Sequence, residues 1–148
     1  MSFSIKLDVA AVLGTMDNID RDCQEAARPA AQAGAQVLYD QVVRNVQGIK
    51  AVTGNLRRSI YQAYSKDNSR DGVAQYHISW NAKKAPHGHL VEWGHLQRYE
   101  ITYDPTTRRF TTHKDRPLPV PKQIGARPFV RPAVAKMPQA QEAMRARY

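Results

Sequence analysis

The stretch Gly125-Ala126-Arg127-Pro128-Phe129-Val130-Arg131-Pro132-Ala133-Val134 constrains this chain more than any other. A proline ring disfavours helical geometry at the residue before it, so Pro128 and Pro132 predict extended backbone at Arg127 and Arg131. Phe129 is the one large aromatic of the segment. Pro132 carries the fixed φ suited to the first turn of a helix, which Ala133, Val134 and Ala135 can continue. The segment reads as a strand or rigid strap that buries Phe129 and hands the chain over to a helix.

Upstream, the chain reads as a long helix. From about Asp17 to Gln47, apolar residues recur at helical spacing, with Val37 or Leu38 followed by Val42, Val46 and Ile49. Gly48 is placed to end the run. The alanine-rich part, Ala26 to Ala35, contains Pro29, which removes a backbone donor and predicts a kink or a break. Together with Gly34 the alanines leave one helical face nearly flat. A second backbone can approach closely there, from the same chain or from another subunit.

The remainder alternates. Phe3, Ile5 and Leu7 face opposite Ser4, Lys6 and Asp8, the period of a half-buried strand. Thr53 or Asn55 can cap a short turn with Leu56 pointing inward, and Ser59 to Lys66 then reads as a strand. Across a polar loop turning at Asp71-Gly72, Val73 to Trp80 returns with Ala74, Tyr76, Ile78 and Trp80 on one face. Its aromatics could make a base-stacking face, but sharing it with Ala74 and Ile78 favours the core reading for Tyr76 and Trp80. Lys83 to Pro86 reads as an exposed connection, and Pro86 can open a short helix running to Gly94. Gln97 to Tyr103 and Arg108 to His113 predict a second hairpin turning at Asp104-Pro105. Pro117-Leu118-Pro119-Val120-Pro121 predicts an extended linker outside any ladder, and Pro138 predicts a kink or restart in the last helix. The expected class is α+β in one domain over 1–148: a long N-terminal helix packed on a small antiparallel sheet, a projecting β-hairpin and a C-terminal helix.

Charge divides the chain. Residues 1–50 hold five Lys/Arg against six Asp/Glu, and residues 51–148 hold seventeen against seven, which together make the net +9. A basic half suits nucleic acid or an acidic protein face. Lys83, Lys84, Arg98, Arg108, Arg109, Lys114, Arg116 and Lys122 lie on expected loops or solvent-facing strand positions, without a helix suited to the major groove. That arrangement favours sequence-independent phosphate contact, with a solubilising surface or an acidic neighbour as the bland alternative. The lone cysteine, Cys23, excludes an internal disulfide and fits a reducing compartment as a small buried residue. No apolar run reaches membrane-spanning length and the N-terminus has no signal-peptide core, so a soluble, intracellular product without membrane contact is expected.

Catalytic chemistry finds little support. His89, Glu92 and His95 fall at i, i+3 and i+6, spread over about a third of a helix circumference, unlike the i, i+4 histidines of zinc hydrolases. Glu92 reads instead as a helix-borne carboxylate paired with Arg57, Arg127 or Arg131, fixing packed segments. Neither a nucleophile elbow, a carboxylate pair nor a phosphate-binding glycine loop occurs, and no cofactor is implied. A free nucleic-acid-binding protein is the first alternative function, and a metal-dependent hydrolase on the two histidines and Glu92 is the second.

Three motifs in order carry a resemblance: Thr53-Gly54-Asn55-Leu56-Arg57-Arg58-Ser59-Ile60, Val91-Glu92-Trp93-Gly94, and Ala126-Arg127-Pro128-Phe129-Val130-Arg131-Pro132-Ala133, behind an alanine-rich helix. This order resembles the gene-ten-like neck or tail-completion proteins of long-tailed bacteriophages, also described as head–tail joining components. The resemblance implies a small, non-enzymatic α+β virion subunit made in the host cytoplasm. It would form a ring of six or more copies against head-completion, tail-terminator or tail-tube proteins, around or along the phage DNA. The matching positions, Thr53, Gly54, Leu56, Ser59, Glu92, Gly94, Arg127, Pro128, Phe129, Arg131, Pro132 and Ala133, would hold the fold and subunit contacts. The basic hairpin at about 97–116 would be an insertion.

Overall fold

The structure is a computed structural model that describes residues 9–50, 53–70 and 72–147. The strand expected over Ser2–Asp8, and Asp71 of the first turn, lie outside the described residues. Helix α1 (Val9–Gln47) is followed by α2 (Asn55–Ser59) and by strands β1 (Ile60–Tyr64) and β2 (Tyr76–Trp80). Next come α3 (Gly88–Trp93), β3 (His95–Asp104), β4 (Arg109–Ile124), a 3-10 helix (Arg131–Lys136) and α4 (Met137–Arg145). The class is α+β, with two separate antiparallel hairpins, β1–β2 and β3–β4. Among the described residues, no helix is long and apolar enough to cross a membrane.

The core sits where the C-terminal half of α1 meets the strap. Val42 and Val46 are buried with Leu56, Ile60, Ala85, Phe129 and Ala133 around them. Phe129 is wholly buried and meets Trp80 edge-on, with ring centroids 5.5 Å apart. Register Ile60–Trp80 places β1 and β2 so that Ile78 and Trp80 turn toward this cluster. At the other end of the hairpin Tyr64 packs on Tyr76 and carries the Arg28 guanidinium of α1 over its ring at 4.4 Å. The flat face of α1 is used within the chain. Ala27, Ala30 and Ala35 are buried, and α4 lays Met144 on Gly34, where an added Cβ would stand 2.7 Å from Met144 Cγ.

Several local expectations are corrected. Of the two outcomes expected at Pro29, the break does not occur: helix α1 runs through it. Pro29 is exposed, as is Glu25, whose carbonyl loses its intrahelical donor, so water can serve the orphaned group. Cys23 is exposed, not buried. Ala85 is fully buried, because Asn81 folds the connection back on the core through Ala85 N–H to Asn81 O at 2.9 Å. The proline run 117–121 lies inside β4, since a two-stranded ribbon has only edge strands and an edge tolerates missing donors. The ladder accommodates it by irregularity: residues 118–121 fall between the pairs Gln97–Lys122 and Tyr99–Pro117, opposite Arg98 alone. At the far end Pro138 begins α4 afresh after the 3-10 turn, the restart that its ring predicts.

Truncating Phe129 to alanine should cost about 3–5 kcal/mol, the range for a fully buried phenylalanine. Urea denaturation of Phe129→Ala against the parent checks this, and a loss below about 1 kcal/mol would show that the strap does not close the core.

Candidate functional site

Helix α3 is short because its ends are set by tertiary contacts. Gly88 lies against the Trp80 indole, leaving no room for a Cβ, and Gly94 leaves the helix at φ 74°, ψ 171°. At Gly94 an added Cβ would stand 2.7 Å from Ile124 O and 2.8 Å from Ala126 N, so the end of β4 passes directly over this glycine. Arg127 N–H donates to Val91 O at 2.8 Å, fastening the strap to α3.

The carboxylate of Glu92 then receives the strap. Only 2% of the residue is exposed. Oε2 accepts the backbone N–H groups of Phe129 at 2.7 Å and Val130 at 3.0 Å. Oε1 accepts Arg131 N–H and Nε–H, both at 3.1 Å, and Arg131 Nη2 donates to the Glu92 carbonyl at 2.7 Å. The guanidinium also lies over Trp93 at 4.0 Å. On the opposite side Asn45 Nδ2 of α1 donates to Phe129 O at 2.9 Å. Of the three arginines expected as partners of Glu92, Arg131 is the one that pairs with it. Arg57 instead donates to Gln47 O and Ile49 O and closes the end of α1. Arg131 itself starts the 3-10 helix instead of lying extended, because three consecutive amides curl around one carboxylate.

Burial works against the charge on Glu92, but the Phe129, Val130 and Arg131 amides and the Arg131 side chain outweigh it and hold its pKa below the usual carboxylate value. Both oxygens are saturated by donors, so this carboxylate is a structural acceptor. His89 is exposed, His95 Nδ1 is buried without a hydrogen-bond partner, and among the described residues no three His, Cys, Asp or Glu side chains gather into a metal-binding group.

The three motifs converge. Thr53 Oγ1 accepts Asn55 N–H at 3.4 Å and Gly54 precedes α2 at φ 72°. Buried Ser59 donates to Leu56 O at 2.7 Å. Leu56, Phe129 and Ala133 share the core, while Arg127, Pro128 and Pro132 are exposed along the strap. The basic residues do not converge. Lys83 and Lys84 lie in the turn that Asn81 Oδ1 organises. Arg98, Arg109, Lys114, Arg116 and Lys122 are spread along exposed β3 and β4, with Arg108 in the turn between them at φ 53°. Arg116 is drawn toward Glu100 at 3.7 Å and Asp115 at 3.9 Å. At the same turn Asp104 accepts Thr107 Oγ1–H and Thr106 N–H, which lower its pKa.

Sequence reasoning missed a cleft of about 180 Å³ beside α2, lined by Val46, Ile49, Leu56, Val91 and Phe110 with Lys50 and Arg57. Its walls come from four separate elements, and no spacing in the chain announces them.

A family model described as "Bacteriophage HK97-gp10, putative tail-component" matches residues 10–94. The chain belongs to this family. The match covers more than half of the chain and runs from α1 to Gly94 at the end of α3. The basic hairpin and the strap follow the matched span, and the Glu92 contacts join the two parts. No curated protein and no solved structure matches the chain.

Replacing Glu92 by glutamine should cost about 2–4 kcal/mol at neutral pH, since charge-assisted hydrogen bonds are lost and an amide donor faces backbone donors. The unfolded carboxyl titrates near about 4.3 and the folded one below it. The Glu92 contribution is therefore complete above that range and lost as pH falls through the folded value. Denaturation curves for parent and Glu92→Gln should converge on acidification; curves that stay equally separated down to pH 3 would contradict this.

Proposed function

We propose that this chain is a structural subunit of the phage virion that forms a ring at the head–tail junction, in the neck or tail-completion position. It acts without catalysis, as one domain over 1–148 carrying the basic hairpin as an insertion. The observation that supports it is a body matched to a tail-component family, in which the most organised polar group is consumed in holding the fold while two arms stand exposed. One arm is the N-terminal half of α1 and the other is β3–β4. A tail component works through its surfaces, and this molecule puts its uncommitted chemistry there. Its partners in this reading are six or more copies of itself and the head-completion, tail-terminator or tail-tube proteins next to it. Lys83, Lys84 and the hairpin cations then face DNA phosphates along the lumen or an acidic neighbouring ring, a contact weakened by salt. Assembly takes place in the host cytoplasm.

The double variant Arg108→Asn/Arg109→Gln removes two exposed charges and keeps a residue that tolerates the left-handed turn. The purified variant should melt like the parent while phage carrying it give fewer joined, DNA-filled particles. Particles of normal infectivity would overturn the role given to the hairpin. Salt-sensitive DNA binding by the free chain, without incorporation into particles, would favour a nucleic-acid-binding protein instead.

A further inference from the structure

The first half of α1 is an unusual surface for a helix. Leu13, Met16 and Ile19 are each more than half exposed, and Cys23 is exposed beyond them. At about 100° per residue, Leu13, Met16, Ile19 and Cys23 fall within one sector about 120° wide. Further along the helix that same sector holds Ala27, Ala30 and Gly34, which are buried within the chain. The packed face of α1 thus continues, uncovered, toward the N-terminus. Acid accompanies it: Asp17, Asp20, Asp22 and Glu25 against Arg21 make residues 13–25 a net −3. By the same angular count Asp20 lies within the apolar sector and Asp17 about 40° beyond its edge.

The cleft beside α2 has the complementary character. Its floor is Val46, Ile49, Leu56 and Val91, with Phe110 from the hairpin at its mouth. Lys50 and Arg57 line it, and the guanidinium of Arg57 is held in place by two carbonyls of the α1 terminus. Tyr103 is in ring contact with Phe110 at 4.9 Å, and Ile101 and Tyr99 are exposed further along β3. Residues 95–124 carry six Lys/Arg against three Asp/Glu, a net +3.

These two surfaces cannot meet within one molecule. Met16 and Val46 stand on one unbroken helix, so they are separated by about 45 Å at 1.5 Å per residue. We infer that the apolar, acidic N-terminal half of α1 of one copy docks in the basic, apolar cleft between α2, α3 and Phe110 of a second copy. Each copy then offers one helix and one cleft. The interface is heterologous, and repetition leads to a closed ring when the rotation closes. A helix laid in a groove by anchors at i, i+3 and i+6 is an ordinary recognition mode, here given polarity by its charges. The inference rests on the proposed ring and names the surfaces that would make it.

Two full-length variants test it by sedimentation and light scattering. Leu13→Ser/Met16→Glu spoils the helix and leaves the cleft, whereas Phe110→Glu spoils the cleft and leaves the helix. All three residues are exposed, so melting curves should match the parent. The parent should self-associate, less so at high salt, and each variant alone should be about tenfold or more weaker, as loss of an interface anchor implies. Mixed, the two variants should form a 1:1 pair that grows no further, because one intact helix meets one intact cleft. A parent that stays monomeric at high concentration, a helix variant that assembles like the parent, or a mixture that does not pair would overturn the interface. The tail role is judged separately, by whether the parent chain is present in particles.

Discussion

The carboxylate of Glu92 is the group on which the arrangement of the other parts depends. A buried charge is costly to desolvate, and a single cation would not offset that cost. Here three successive backbone amides and a guanidinium meet one carboxylate, while the guanidinium also reaches the Glu92 carbonyl and stacks on Trp93. Phe129 enters the core in the same turn, and Asn45 holds its carbonyl from the other side. Hydrophobic burial supplies the larger driving force, but it is not directional. The carboxylate supplies direction, fixing where the chain bends and therefore where α4 begins.

Position in the chain gives this contact its meaning. Glu92 lies near the end of the span shared with the tail-component family, and its partners lie beyond the basic hairpin. The hairpin leaves the body at Gly94 and returns over it, so its two ends are pinned within a few residues of the carboxylate. A long ribbon can therefore be carried on a small body without loosening the core. Its turn is set locally, through the Asp104 carboxylate and the left-handed Arg108.

Much of this was legible in the chain. The spacing of Val42, Val46 and Ile49 identified the buried side of α1, and alternation through Tyr76, Ile78 and Trp80 identified the inward side of β2. Phe129 was readable as the residue a strap would bury, and Arg131 stood among the candidate partners of Glu92. The misreadings share a cause. Local propensity is the guide at Arg131 and at the prolines of β4, and each is decided by its surroundings: the Glu92 carboxylate at Arg131, an open strand edge at Pro117. Ala85 and the cleft depend on segments distant in sequence, and no periodicity encodes such meetings.

In the proposed role a locked body carries exposed arms, and copies of it sit as a ring in the tail. Electron microscopy of the purified chain and of the particles that contain it tests this most directly. The account predicts closed rings, or single subunits that become a ring once seated between head and tail. A stable monomer that is absent from assembled particles would contradict it.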